Sequence, residues 1–388
     1  MDHFYFDHNA TAPLCAQALE TAVECLREVY GNASSIHFFG QAAKERLERA
    51  RRQVARLIQA QPKEIVFTSG GTEADNLAIL GAVRSSKRPD RHVITTAIEH
   101  PAVLNTCAEL EREQAAVTYL PAGPDGVVDP EDVGRALRPG TVLVSVMHAN
   151  NETGVVQPLK EISELTRRAG VLLHSDGVQA AGRIPVNVRE LGVDFYTLSG
   201  HKICAPKGVG ALFARAGAGF EPVTYGGHHE RDRRPGTENV PGIAAFGRAA
   251  EVVEQELAAQ SARIAALRDR LETAILALVS DSFVNGGRAE RLPNTTNIRF
   301  DDVSGEALVI ALDLEGFAVS TGSACSSGAV EPSHVLTAMG LSPEQARASL
   351  RFSLGRCNTA EQVDALAGAV VRAVERLRAI APARLAHV

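Results

Sequence analysis

Short apolar or β-branched segments alternate with helical patterns through most of the chain, and this alternation constrains the fold more than any other feature. The predicted strands cover residues 64–69, 92–96, 117–120, 141–147, 171–176, 194–199 and 209–214. Helical patterns such as 73–84 and 159–169 separate them. Because crossover helices cover both faces of a parallel sheet, the pattern predicts an α/β protein with a large, mostly parallel sheet.

The pattern changes in the last third of the chain. A long helical pattern begins after Pro241, and its length suits a helix that connects two units. From about residue 294 the sequence predicts a smaller α+β unit, with strands at 295–300, 318–321 and 349–353 and helices at 305–314 and 361–380. We therefore expect an N-terminal segment (1–16) that packs with the small domain, a large domain (17–255) and a small C-terminal domain (256–388).

Composition argues against several kinds of partner. The 40 basic and 46 acidic residues give a net charge of −6, so neither nucleic acid nor an anionic membrane surface is an expected partner. No stretch approaches the roughly 18 apolar residues that span a bilayer. The start of the sequence lacks the features of a signal peptide, and the six cysteines form no C-x-x-C pair. We expect a cytoplasmic protein with reduced thiols.

Two predicted strands end in residues that suit a bound aldehyde cofactor. Lys202 closes the run Ser199-Gly200-His201-Lys202, and Asp176 ends a strand 26 residues upstream. A lysine can condense with an aldehyde, and a carboxylate can keep a ring nitrogen protonated. A buried carboxylate without a partner is costly, so Asp176 implies a cation nearby, although a helix-capping role would also explain it alone. Together the two residues predict a pyridoxal 5'-phosphate site.

The segment 68–73 predicts a place for the phosphate of that cofactor. Gly70, Gly71 and Thr72 follow a strand and open a helix, where free N–H groups and the helix dipole favour an anion. Taken alone, the segment is better explained as a tight turn with Thr72 as the N-cap, because such turns are common.

Three further polar residues follow predicted strands, and we expect them at the same rim of the sheet. His100 could stack on a cofactor ring and move protons, although a lone histidine is more often structural. Gln179, one turn after Asp176, could donate to the phenolate oxygen of the ring. Asn151 belongs to a polar turn that a simple loop would also explain.

Two residues of the smaller unit suit substrate chemistry. Cys325 lies among glycines and serines at 322–328, which offer no hydrophobic packing, and this composition predicts an accessible nucleophilic or carrier thiol. Arg351 lies in a predicted strand, where its guanidinium could bind a substrate carboxylate with two hydrogen bonds.

At this point the sequence resembles the cysteine desulfurases, in the branch of the nitrogen-fixation and housekeeping iron–sulfur assembly enzymes. The matching segments are 6–12, 31–37, 68–76, 148–157, 199–207, 234–239 and 323–336. The resemblance implies the fold type I of pyridoxal-phosphate-dependent transferases, with the cofactor in the large domain, and a homodimer. Ala33 stands where the family commonly has proline, and Pro235 replaces a smaller residue, but neither change removes a chemical group.

The resemblance also implies a role for each site residue. The phosphate would be held by Gly71, Thr72, Ser199 and His201, and by Thr237 from across the dimer interface. The ring would contact Asn151 and Gln179, and its nitrogen would pair with Asp176. Lys202 would bind the cofactor covalently. Catalysis would rest on Lys202, His100 and Cys325, and substrate binding on Arg351 and Asn151. Cys325 would carry a persulfide and transiently ligate an iron–sulfur cluster shared with a scaffold protein.

The expected activity is removal of sulfur from L-cysteine, which yields L-alanine and a persulfide for an iron–sulfur scaffold or another acceptor. A selenocysteine lyase or another β-eliminating enzyme would share the cofactor site and stays open as the alternative. A nucleotide-binding protein is disfavoured because the segment 177–184 lacks the Lys-Ser/Thr ending of a phosphate loop. A metal site on His228, His229 and Glu230 is disfavoured because adjacent histidines on such a loop are more often surface groups.

Overall fold

A computed structural model of the protein describes residues 3–322 and 331–380. Within these ranges the strands are β1 (Phe4–Tyr5), β2 (Ile65–Thr68), β3 (His92–Thr96), β4 (Ala116–Leu120), β5 (Thr141–Ser145), β6 (Leu172–Asp176), β7 (Phe195–Ser199), β8 (Gly210–Ala214), β9 (Ser282–Val284), β10 (Thr295–Phe300), β11 (Phe317–Ala318) and β12 (Ser349–Ser353). The predicted strand at 318–321 is thus displaced to Phe317–Ala318, and β1 and β9 were not predicted.

The α-helices of the same ranges cover both faces of the main sheet and one face of the smaller unit. They are α1 (Ala16–Glu28), α2 (Phe38–Leu57), α3 (Gly71–Ser85), α4 (Pro101–Arg112), α5 (Pro130–Ala136), α6 (Leu159–Ala169), α7 (Val188–Leu191), α8 (Val240–Leu278), α9 (Gly305–Leu314), α10 (His334–Ala338), α11 (Pro343–Arg347) and α12 (Ala360–Ile380). None of the described helices is long and apolar enough to cross a membrane.

The main sheet has seven strands in the order β2-β8-β7-β6-β5-β3-β4 among the described residues. The strands from β4 to β7 run parallel, whereas β8 is antiparallel to both β2 and β7. The predicted α/β class with a large, mostly parallel sheet is therefore confirmed.

Successive residues of the buried strands point to opposite faces, which explains their continuous apolar sequence. Val93 and Leu143 pack in one hydrophobic cluster with residues of α3 and α4. Their neighbours Ile94 and Val144 pack in a second cluster with residues of α2 and α8. Each strand thus contributes side chains to two cores, and its carboxyl end is left facing the loops that follow.

Helix α8 runs for 39 residues from the main sheet to the smaller unit. Its first half places Phe246 in the cluster with α2, and its second half places Leu271 in a third cluster with residues of β10, β12 and α12. The predicted domain boundary at 255/256 lies inside this helix. Val253, just before the boundary, packs against the cluster that contains α2, and Ile264, after it, packs against the cluster that contains α12. We propose the division of the chain at this change of packing partner.

The smaller unit contains an antiparallel sheet in the order β12-β10-β9, and the start of the chain is attached to it. Strand β1 pairs in parallel with β11, with Phe4 opposite Phe317. The backbone then continues past β12, where the N–H of His8 donates to the carbonyl of Ser353 at 3.1 Å. This path brings residues 7–11 between the main sheet and the smaller unit.

Candidate active site

A cavity of about 200 Å³ lies at the carboxyl ends of β3, β5, β6 and β7. Nine residues proposed from the sequence line it: Gly71, Thr72, His100, Asn151, Asp176, Gln179, Ser199, His201 and Lys202. They come together because neighbouring parallel strands end at the same edge of the sheet. Asp75, Met147 and Val178 also line the cavity, and sequence reasoning did not select them.

One end of the cavity is the N-terminus of α3. The helix begins at Gly71 after the N-cap Gly70, which provides no side-chain cap, so Thr72 is the second helical residue and not the N-cap. A Cβ atom at Gly71 would approach Val178 Cγ2 to 2.9 Å and Ser199 Cβ to 3.5 Å. The glycine therefore keeps this end open, and the first N–H groups of the helix, which have no intrahelical acceptor, suit an anion.

Asp176 lies at the end of β6 on another wall and is buried. Its Oδ1 accepts a hydrogen bond from the N–H of Val178 at 2.9 Å. Burial raises the pKa of Asp176 to about 6, and the nearby carboxyl group of Asp75 adds to the increase. A cationic group next to Asp176 would reverse this shift and stabilise the carboxylate.

The second carboxyl group, Asp75, is buried in the first turns of α3. Its Oδ1 lies 3.4 Å from His174 Nε2. Burial raises the pKa of Asp75 to about 7 and lowers that of His174 to about 4, so this histidine supplies no positive charge near neutral pH. Asp75 and Asp176 are thus two buried acidic side chains that line the same cavity. A cation bound in the cavity would stabilise the carboxylate of Asp176.

Lys202 follows β7 and places its Nζ beside the start of the chain. This amine donates to the carbonyl oxygens of Asn9 at 2.5 Å and Ala10 at 2.9 Å. Burial lowers the pKa of Lys202 to about 7, and the charges of Arg183 and Arg351 lower it further. The amine is therefore partly unprotonated at neutral pH, as a nucleophile or base must be.

The remaining cavity residues have partners of their own. Gln179 Nε2 donates to the carbonyl of Asn9 at 3.1 Å, while its Oε1 accepts from Arg183. His201 Nδ1 lies 3.1 Å from Thr11 Oγ1. His100 Nδ1 accepts from the N–H of Ala102 at 3.1 Å and so caps α4, which leaves Nε2 as the nitrogen available for a ligand. Desolvation lowers the pKa of His100, so its neutral form predominates at neutral pH.

Two of the described residues that were proposed from the sequence, Arg351 and Thr237, do not line this cavity. Arg351 forms an ion pair with Asp7 at 2.6 Å and donates to the carbonyl of Asn151 at 3.0 Å, so it lies behind a cavity residue. Thr237 is exposed in a separate groove that Tyr225 also lines. Cys325 lies outside the described residues.

The alternative metal site is not formed. Glu230 makes a bidentate ion pair with Arg51, with both oxygen–nitrogen distances 2.7 Å, and His228 pairs with Asp232. Within residues 3–322 and 331–380, no group of three or more His, Cys, Asp or Glu side chains could hold a metal ion. The carboxylate that the sequence offered to a metal instead neutralises a buried arginine.

Residues 4–366 match the family model of the class-V aminotransferases. The chain belongs to this family. Among its class-V relatives, the cysteine desulfurase IscS of Dictyoglomus turgidum is 45% identical over 378 residues, which cover 97% of this chain and 96% of the relative. The cysteine desulfurase of Trichormus azollae is 47% identical over 382 residues, which cover 98% and 95%. The resemblance to the cysteine desulfurases is thus confirmed.

Solved structures of other proteins agree with the fold of this chain. A NifS-like protein superposes with a TM-score of 0.90 at 34% identity, over 96% of this chain and all of that one (100%). The structure of SspA in complex with cysteine superposes with a TM-score of 0.80 at 33% identity, over 90% and 98% of the two chains.

The cavity fits pyridoxal 5'-phosphate in its chemistry. The N-terminus of α3 suits the phosphate, and Lys202 carries an amine of lowered pKa. The buried Asp176 forms no ion pair with the described residues, and a protonated ring nitrogen would provide its counter-charge. These are three different requirements of one cofactor, and they are met by the start of α3, the end of β6 and the turn that follows β7.

Proposed function

We propose that this protein is a pyridoxal-phosphate-dependent cysteine desulfurase, which converts L-cysteine to L-alanine and retains the sulfur as a persulfide on Cys325. The observation that carries the proposal is the meeting of Asp176 and Lys202 in one cavity, with opposite pKa shifts that suit a cationic ring and a reactive amine. Relatives 45–47% identical over nearly the whole chain, which are named cysteine desulfurases, support it.

Different cavity residues would bind different parts of the cofactor. Gly71, Thr72, Ser199 and His201 would bind the phosphate, and Asn151 and Gln179 would contact the ring. When bound, pyridoxal phosphate supplies an electron sink for the charge that develops on the substrate as its α-proton leaves. Asp176 would accept a hydrogen bond from the ring nitrogen and keep it protonated.

Proton transfer would fall to Lys202 and His100. A base works best when its pKa lies near the operating pH, and burial lowers the pKa of Lys202 to about 7. The carbonyls of Asn9 and Ala10 hold its Nζ in a fixed position, so the amine is oriented before a substrate arrives. Because Nδ1 of His100 accepts from the N–H of Ala102, neutral His100 carries its proton on Nε2, which can donate this proton and take it back.

Sulfur transfer would require the Cys325 thiolate to attack the sulfur of L-cysteine. The carbon–sulfur bond of the substrate breaks, a sulfur–sulfur bond forms on Cys325, and the substrate carbon takes a proton to give L-alanine. The persulfide then passes to an iron–sulfur scaffold or another acceptor protein, and Cys325 would transiently ligate the shared cluster. This step rests on the sequence around Cys325 and on the named relatives.

A homodimer is part of the proposal. Ile36, Phe38 and Tyr225 are large apolar side chains that expose 94%, 79% and 84% of their surface and could be covered by a partner. Tyr225 lines the same groove as Thr237. A partner covering these residues would bury the aromatic surface and bring Thr237 to the phosphate of the neighbouring site. Light scattering of the purified protein would measure the expected mass of two chains.

We also propose a cytoplasmic location. Cys15, Cys25, Cys107, Cys204 and Cys357 are free thiols among the described residues. A reducing compartment keeps such thiols in this form and also preserves a persulfide carrier.

Incubation of the purified protein with L-cysteine tests the function directly. We expect equal amounts of L-alanine and of protein-bound sulfane sulfur in the first turnover, and a borohydride-fixed cofactor on Lys202 by mass spectrometry. Cys325→Ser should bind the cofactor and produce neither product, while Cys357→Ser, which changes an exposed thiol, should match the parent. Turnover of L-selenocysteine without turnover of L-cysteine would replace the proposal by the lyase alternative.

A further inference from the structure

Residues 7–11, which we call the N-terminal strap, contact the candidate active site along their whole length. The contacts are Asp7 with Arg351, the carbonyl of His8 with Arg183, the carbonyl of Asn9 with Gln179 and Lys202, the carbonyl of Ala10 with Lys202, and the hydroxyl of Thr11 with His201. Most of these contacts use main-chain carbonyls, which any residue could supply. Asp7 and Thr11 use their side chains instead, and of these two only Asp7 brings a full negative charge.

The ion pair between Asp7 and Arg351 is almost completely enclosed. Arg351 Nη2 lies 2.6 Å from Asp7 Oδ1, and the two side chains are 5% and 19% exposed. Arg351 Nη1 donates to the carbonyl of Asn151, which also accepts from Asn9 Nδ2, both at 3.0 Å. Arg351 Nε is buried and has no hydrogen-bond partner among the described residues. The guanidinium is thus neutralised by Asp7 and fixed by these hydrogen bonds.

A ligand carboxylate that binds Arg351 meets the negative charge of Asp7 at close range. The ligand must either share the guanidinium with Asp7 or displace it, and both routes cost electrostatic energy because the ion pair is mostly buried. Lys202 and Arg183 are the other cations of this region, and neither neutralises Asp7 by a direct ion pair among the described residues.

We propose that Asp7 is a positioning residue that holds Arg351 in place and weakens its affinity for α-carboxylates. The inference rests on the proposed function, in which substrate and product both carry an α-carboxylate. A bare buried guanidinium would bind the carboxylate of L-alanine as strongly as that of L-cysteine and would delay product release. Asp7 competes with either ligand and so favours release after each turnover.

The main chain of Asp7 is fixed independently of its carboxylate. Its carbonyl accepts from Tyr5 Oη at 2.9 Å and from the N–H of Ala10 at 3.0 Å, and its backbone bridges to Ser353. The variant Asp7→Asn therefore keeps the backbone and an acceptor oxygen for Arg351, and it removes the negative charge alone.

The test is calorimetric titration of the holoenzyme with L-alanine and with ethylamine, which lacks the carboxylate. In Asp7→Asn we expect L-alanine to bind roughly tenfold more tightly and ethylamine to bind as in the parent. KM for L-cysteine should fall together with kcat, because product leaves more slowly. If Asp7 had only a structural role, the substitution would change the affinities for L-alanine and ethylamine by the same factor.

Asp301→Asn is the matched control because it removes an Asp–Arg pair, with Arg299, that lies outside the cavity. It should leave both binding constants unchanged. The inference is overturned if Asp7→Asn binds L-alanine no more tightly than the parent does, or if neither Asp7→Asn nor the parent binds it. Desulfurase activity of the parent is measured in parallel, so that its absence refutes the proposed function, whereas the role of Asp7 is judged from carboxylate binding alone.

Discussion

Arg51 and Glu230 form a bidentate ion pair between α2 and the segment that carries Thr237, and the two side chains are only 4% and 3% exposed. The pair also holds the backbone of β2, because Arg51 donates to the carbonyl of Ile65 at 2.8 Å and Glu230 Oε2 accepts from the N–H of Phe67 at 2.9 Å. One buried pair thus joins a helix, a strand and the segment proposed to enter the partner's site.

Removing the charge of Glu230 should therefore destabilise the fold. In Glu230→Gln the buried guanidinium of Arg51 loses its counter-charge, and we expect the free energy of unfolding to fall by about 3 kcal/mol or more. Urea denaturation measures this change. Glu254→Gln is the control, since its partner Arg56 is 53% exposed, and such a pair contributes less than about 1 kcal/mol. Equal losses in the two variants would contradict the role of burial.

The glycines at the start of α3 make a second prediction. A Cβ atom at Gly71 would enter the proposed phosphate end of the cavity, whereas one at Gly70 would meet no atom within 4 Å. We expect Gly71→Ala to lose most of its affinity for pyridoxal phosphate and Gly70→Ala to retain it. Equilibrium dialysis against the cofactor distinguishes the variants, and full affinity in Gly71→Ala would place the phosphate elsewhere.

Asp75 should impose a pH dependence on the stability of the cofactor-free protein. Its pKa is about 7 in the folded state against an ordinary value of 3.8, so between these values the folded state binds more protons than the unfolded state. Stability contributed by the protonated acid is therefore lost as the pH rises from about 4 to 7, by an amount on the order of 4 kcal/mol.

The variant Asp75→Asn removes this contribution. Compared with the parent, it should gain relative stability as the pH rises through the same interval, in urea titrations at matched pH values. The comparison separates Asp75 from His148 and His174, whose pKa values of about 4 produce the opposite slope in both proteins. A constant difference between parent and variant from pH 4 to 7 would show that Asp75 does not titrate there.

The lowered pKa of Lys202 predicts how cofactor capture depends on pH. The unprotonated amine is the reactive form, so the rate of pyridoxal phosphate uptake should rise with pH up to about 7 and then level off. An amine with an ordinary pKa of 10.5 would still gain reactivity above pH 9. Stopped-flow absorbance of cofactor-free protein measures the profile, and Lys202→Arg controls for binding without covalent capture.

The sequence was sufficient for the main sheet and for most of the cavity because both depend on local signals. Buried parallel strands are continuous apolar runs, and the cavity residues directly follow them. The partners of these residues were not predictable in the same way. Asp7 meets Arg351 across 344 positions of sequence, and Asp75 of α3 meets His174 of β6. Contacts of this kind depend on how the chain folds in three dimensions. The local sequence around each residue does not predict which distant residue it will contact.

The length of α8 fixes how the smaller unit is oriented relative to the main sheet. A helix turns by about 100° per residue, so one inserted residue between Val253 and Ile264 would rotate Leu267, Leu271 and Ile275 away from their cluster. Seven inserted residues would nearly restore the facing but move the smaller unit outward by about 10 Å, and with it Arg351. The number of residues in α8 is thus as constrained as the identity of its buried side chains.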